Sequence, residues 1–253
     1  MNYILRLAAT FAASTLLFGC GSDSDSIIEE LNANRTKWEN ANINNYQFEY
    51  RASCFCLEET TLPRLVLVEG NQVASQTIIE GNAGLPLDTP NTETITSLFN
   101  RIALEESRAD AISVEYDTQL GYPTKIDLDI NEQVADDEYT LTVGNVVQAD
   151  DVACSAVLEN GLLLSVTDQE TQMPIACGVT VTATEDTFSE TVVNDDAACD
   201  DSSNIEMLEE RPGFYSLTVQ KQGYQDFQME DVGIGRDLCH VLSREISVEL
   251  VPE

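Results

Sequence analysis

Cys54 and Cys56, one residue apart, and the set Asp127, Asp129, Asn131 and Glu138 are the side chains here whose spacing suggests chemistry. On a strand, residues i and i+2 share a face, so the Cys54 and Cys56 sulfurs can meet. A pair closing so small a ring is a candidate thiol–disulfide exchanger. Such a catalyst also needs a cation or helix N-terminus to stabilise its thiolate. Only Arg51 is nearby, opposed by Glu58 and Glu59. Asp127, Asp129, Asn131 and Glu138 fall at positions 1, 3, 5 and 12 of a calcium-loop pattern. Glu132 stands where that loop needs glycine, and the flanks read as strands. Any Ca2+ site would therefore be a non-standard hairpin site. The plainer reading makes Asp127 and Asp129 the outward face of a strand. Asn194, Asp195, Asp196, Asp200 and Asp201 surround Cys199 in a polar loop that either binds divalent cations weakly or is simply solvated.

Nucleophilic catalysis has little to work with. His240 is the sole histidine, and it follows Cys239, so on a strand the two side chains point apart. The chain has no Gly-x-Ser-x-Gly elbow, phosphate loop or dinucleotide fingerprint. The expectation is a non-enzymatic protein with no cofactor.

The N-terminus carries an address. Arg6 precedes an apolar run over residues 7–18, then Gly19 and Cys20. This is the form of a secretory signal over residues 1–19. Leu17-Phe18-Gly19-Cys20 resembles the bacterial lipoprotein box. That resemblance implies cleavage before Cys20, diacylglycerol on its sulfur and acylation of the new amine. Two or three acyl chains hold a protein to a membrane durably, whereas one does not. Residues 20–26, Cys-Gly-Ser-Asp-Ser-Asp-Ser, read as the lipidated cysteine and a flexible tether. Gly21 and Ser22 favour the outer membrane.

The net charge is −33, with 12 basic and 45 acidic residues. Nucleic acid and anionic lipid head groups are therefore excluded as partners. Setting Cys20 aside leaves Cys54, Cys56, Cys154, Cys177, Cys199 and Cys239, an even set that suggests disulfides outside the cytoplasm. Cys177 and Cys239 each precede a predicted strand and are expected to pair.

Two halves with different rhythms must position these residues. In residues 27–148, Ser26 and Glu29 form a capping-box pattern before a helix carrying Ile27, Leu31 and Trp38. Tyr46, Phe48, Tyr50 and Ala52 alternate with polar residues as one strand. Hairpin strands follow over 65–68 and 73–79. A second helix opens at Pro90-Asn91-Thr92, with the stripe Ile95, Leu98, Phe99 and Ile102. Three more strands lie over 112–116, 124–130 and 138–143. The order is helix, three strands, helix, three strands, an α+β domain with an antiparallel sheet. Residues 154–253 lack helical periodicity. They predict short strands over 162–167, 179–184, 190–193, 205–208, 214–220, 228–232 and 246–250, an all-β sandwich.

The first half, through Tyr46-Gln47-Phe48-Glu49-Tyr50, Cys54-Phe55-Cys56, Gly121-Tyr122-Pro123 and Asp136-Asp137-Glu138, resembles a family of uncharacterised bacterial lipoproteins without assigned activity. The second half resembles the carboxypeptidase regulatory-like sandwich through Val166-Thr167-Asp168, Pro174-Ile175, Val179-Thr180-Val181 and Gly213-Phe214-Tyr215-Ser216-Leu217. That likeness implies an accessory module. Together these readings predict a membrane-anchored lipoprotein that binds or scaffolds an envelope protein or ligand. A Ca2+-dependent module and a thiol oxidoreductase built on Cys54 and Cys56 are the alternatives.

Overall fold

The computed structural model describes residues 23–80, 84–87, 92–195 and 197–253. The expected signal, Cys20, Gly21, Ser22, Pro90, Asn91 and Asp196 lie outside them. The first helix, α1 (Asp23–Ala41), begins within the stretch expected to be a tether, so Ser26 lies inside the helix instead of capping it. Strand β1 (Tyr46–Cys54), a single helical turn α2 (Glu58–Thr61) and the hairpin strands β2 (Arg64–Glu69) and β3 (Gln72–Ile78) follow. Helix α3 (Ile95–Glu105) precedes β4 (Ala111–Tyr116), β5 (Pro123–Asp129) and β6 (Glu138–Gln148).

These six strands form one antiparallel sheet in the order β3-β2-β1-β6-β5-β4. Alternation explains why one of its faces is buried. Tyr46, Phe48, Tyr50 and Ala52 of β1, Leu141 and Val143 of β6, and Ile126 and Leu128 of β5 form a core with Leu31 and Trp38 of α1 and the whole α3 stripe. Thr94 caps α3 by accepting the Ser97 N–H. Arg35 ties the helices together by donating to the Phe99 carbonyl at 2.8 Å. The opposite face of β1 carries Gln47, Glu49, Arg51 and Ser53, and the helices leave it uncovered.

The remaining chain is β7 (Asn160–Asp168), β8 (Val179–Glu185), β9 (Phe188–Asn194), β10 (Ile205–Glu209), β11 (Gly213–Gln220), β12 (Phe227–Arg236), β13 (Val241–Leu242) and β14 (Arg244–Leu250). They form a three-stranded sheet, β10-β7-β14, and a five-stranded sheet, β13-β12-β11-β8-β9. A second apolar cluster holds Leu162, Leu164 and Val166 with Val181, Tyr215, Leu217 and Val248. The β7–β14 pair is parallel, so the last strand closes beside the first.

The expected fold class is corrected. Among the described residues 14 strands lie in three sheets, so the protein is mostly β. Helical periodicity is confined to α1 and α3, and the turn α2 interrupts the expected run of three strands. The strong apolar stripe of α3 gave the helices more weight in the sequence than they hold in the fold.

The halves touch through β12. The Gly235 N–H donates to the Gly84 carbonyl at 2.8 Å. Arg236 reaches Glu69 at 2.8 Å, and the Leu238 N–H donates to Gln47 Oε1 at 3.0 Å. Gly235 lies flat against Thr77, where any Cβ would overlap the threonine side chain.

Candidate functional site

Cys54 ends β1 and is bonded to Cys56. The residues beside the second sulfur are bare: Phe55 is 85% exposed and Leu57 78% exposed. Arg51 is committed to Glu80 at 3.3 Å, and Glu58 follows the ring. This loop therefore gives a thiolate little electrostatic support. On the uncovered sheet face, Glu49, Arg51, Pro63, Glu80, Thr142 and Gly144 line a depression of about 250 Å³. The exposed Arg51–Glu80 pair contributes about 0–1 kcal/mol, so a polar ligand displaces it at little cost.

The calcium-loop residues do not converge. Asp127 binds Lys125 at 2.6 Å and accepts the Thr140 hydroxyl at 2.7 Å. Lys125 and Thr140 hold its carboxyl below the usual carboxylate range. Asp129 lies opposite Glu138 across the β5–β6 hairpin, while Asn131 turns back to accept the Gln133 N–H. No group of three His, Cys, Asp or Glu side chains is placed to hold a metal among the described residues. A flat antiparallel ladder spaces alternate side chains along its face, whereas the calcium loop curls them around one point. Asp129 Oδ1 and Asp137 Oδ1 are out of solvent without hydrogen-bond partners. Burial, then the charges of Asp137, Glu138 and Asp110, push the Asp129 carboxyl above its ordinary value.

The expected Cys177–Cys239 bond is wrong. Cys177 is bonded to Cys199, and Cys154 to Cys239. Val179 pairs with Asn194 in the β8–β9 hairpin, so the loop after β9 starts beside Cys177 and needs only a few residues to bring Cys199 back. In that loop Asp201 accepts the Cys177 N–H and Asp200 accepts the Ser202 N–H and hydroxyl. Asp200 holds donors of its own loop, and Asp201 ties that loop to the segment before β8.

On sequence, His240 is weighed only against Cys239; the structure gives it other partners. Its Nδ1 lies 2.7 Å from Glu210 Oε1, and its Nε2 lies 3.1 Å from the Ser155 hydroxyl oxygen. Three segments meet there: the connection after β6, the turn between β10 and β11, and the loop before β13. Asp237 shapes that loop by accepting the N–H groups of Cys239 and His240. Glu210 holds a left-handed backbone, φ +47°. Its carboxylate also accepts the Glu159 and Val241 N–H groups. The Glu159 N–H and then His240 keep that carboxyl below the usual range, so it stays ionised beside the ring. With Glu210 accepting from Nδ1–H, Nε2 is left to accept the Ser155 proton. The side chains of His240 and Glu210 are 20% and 27% exposed, and a cavity of about 160 Å³ opens beside them, lined by Pro212, Arg236 and Val241 among others. The three residues are 30 and 85 positions apart, and no local motif joins them. The usable signal was that Ser155 follows Cys154 as His240 follows Cys239, which is informative only once those cysteines are known to pair.

Residues 30–148 match a family described as a family of unknown function, DUF6174. No curated protein and no solved structure matches the chain.

Proposed function

We propose that the chain is a lipid-tethered module of the bacterial cell envelope with a binding or scaffolding role. Cysteine arithmetic carries this reading. Cys54, Cys56, Cys154, Cys177, Cys199 and Cys239 are consumed in three disulfides. The cysteine left over is Cys20, which ends Leu17-Phe18-Gly19-Cys20. Disulfides persist in oxidising compartments, and a lone cysteine at that position is suited to take a thioether-linked lipid. The second half then serves as an accessory sandwich of the carboxypeptidase regulatory-like kind. Its three- and five-stranded sheets around a single apolar cluster support that reading. The uncovered polar face around Arg51 and Glu80 is the surface offered to an envelope partner or polar ligand. The charge of −33 keeps nucleic acid and anionic lipid head groups away from it.

Metabolic labelling with palmitate in a bacterial host tests the anchor. The wild type takes up label and sediments with membranes, whereas Cys20→Ser does neither. An unlabelled wild type overturns the reading. A photo-crosslinker at Thr142, in the native envelope, tests the docking face. It is expected to give one discrete adduct that Arg51→Glu removes, and an absence of adduct removes this face from the account.

A further inference from the structure

The second half also holds an arrangement that goes beyond tethering and binding. Serine nucleophiles need a base within hydrogen-bond reach and a third group that fixes the base's tautomer. Ser155, His240 and Glu210 meet those requirements in order, at 3.1 Å and 2.7 Å. We propose that Ser155, His240 and Glu210 form an acyl-transfer site that hydrolyses small neutral carboxylic esters.

The roles follow from the geometry. Glu210 is anchored by two backbone N–H groups besides the imidazole, so it orients the ring rather than swinging free. Ser155 is exposed and stands open to a substrate. The Val157 N–H points at its hydroxyl oxygen from 3.4 Å. This contact places a backbone donor beside the reacting atom. The Cys154–Cys239 bond holds the two strands of chain that carry Ser155 and His240.

In the first step the Ser155 oxygen bonds to the ester carbonyl carbon and its proton passes to His240 Nε2. The carbon–alkoxy bond breaks, and the leaving oxygen takes that proton and departs as an alcohol. Water then attacks the acyl-serine and gives its proton to Nε2, which returns it to the Ser155 oxygen as the carboxylic acid leaves. No oxidant, reductant or metal is required. The substrate class follows from size and charge. The cavity of about 160 Å³ opens beside His240 and Glu210, and Ser155 stands outside its lining, so only a short acyl group fits between the exposed hydroxyl and that small space. Glu210 and Asp237 line it with Arg236, which is paired to Glu69, so on a chain of charge −33 the local balance disfavours anionic substrates.

The test uses the full chain, folded and with its disulfides intact, and a fluorophosphonate probe, with the adduct mapped by peptide mass spectrometry. The expected result is modification of Ser155 in the wild type, slowed about 100-fold in His240→Gln, the scale of a lost general base. Labelling absent from Ser155, or equally fast in His240→Gln, overturns the proposal. Ser155→Ala changes an exposed side chain and keeps the fold. It is expected to abolish turnover of p-nitrophenyl acetate, and turnover equal to wild type also overturns the proposal. None of these readouts depends on Cys20, so failure of the lipid anchor and failure of this site are separate results.

Discussion

Cys154 and Cys239 are bonded, and the residue after each of them, Ser155 and His240, lies within hydrogen-bond distance of the other at 3.1 Å. One covalent link thus ties the connection between the halves to the loop before β13 and brings a hydroxyl to an imidazole across 85 positions.

That link has a predicted rank. Restricting the unfolded chain gains more for a longer loop: about 4.5 kcal/mol for Cys154–Cys239, about 3.5 for Cys177–Cys199, and on the order of 1–2 for Cys54–Cys56. Paired Cys→Ala variants melted in urea should lose stability in that order. A Cys54/Cys56 double variant costing more than the Cys154/Cys239 one contradicts the ranking. The Cys154/Cys239 variant should also lose most of its Ser155 labelling.

Gly121 holds φ +79°, and a Cβ there would stand 2.5 Å from the Asn34 carbonyl oxygen on α1. Gly121→Ala combines a left-handed backbone with a backbone collision, and it should cost about 1–3 kcal/mol. Gly235→Ala should act elsewhere, prying β12 from Thr77. Its readout is faster amide exchange at Leu238, whose N–H is held by Gln47 across the same contact. Unchanged exchange there means the halves do not rely on this approach.

Tyr46 is fully buried and accepts the first N–H of α3, from Ile95, at 3.0 Å. Tyr46→Phe leaves that donor unpaired in the core and should cost about 1–3 kcal/mol at neutral pH. Burial pushes the Tyr46 and Tyr215 hydroxyls up to about 12, from an ordinary value of 10.0. Their contribution is therefore fully present below pH 10 and is lost as pH climbs towards 12, about 3 kcal/mol for each. Urea melts between pH 9 and 12 check this, and stability that stays flat across that window contradicts it.

Asp129 is held above its ordinary carboxyl range by burial and by neighbouring carboxylates. Its ionised form therefore opposes folding near neutral pH. Asp129→Asn should raise the melting temperature at pH 7 and leave it nearly unchanged at pH 3, where the carboxyl is protonated anyway. A lower melting temperature at pH 7 would show the carboxylate to be a needed partner. A calcium-induced rise in the wild type that this variant abolishes would point to a cation shared with Asp137.

Strand positions were legible because one buried face writes a period of two into the sequence, as in Tyr46, Phe48, Tyr50 and Ala52. The α3 stripe was legible for the analogous reason at helical spacing. The parallel β7–β14 pairing was not, since a strand's own pattern does not record which neighbour it takes. Disulfide partners failed for the same reason: Cys177 and Cys239 share a strand-entry position, but partner choice is set by how loops return. The Ser155–His240–Glu210 array was invisible because tertiary contact alone assembles it. The rule that neighbours on a strand diverge does not apply to Cys239 and His240, which lie in the bend before β13; Cys239 is instead spent in its bond to Cys154, and the rule drew attention away from Ser155.

Intact-mass spectrometry of the protein extracted from bacterial membranes, without reductant and after treatment with a thiol-alkylating reagent, reads the lipid anchor and the disulfides together. The expected species is a chain beginning at Cys20, carrying acyl chains and three disulfides, with no alkylated thiol. A chain that retains Met1, or one alkylated at Cys20, contradicts this expectation.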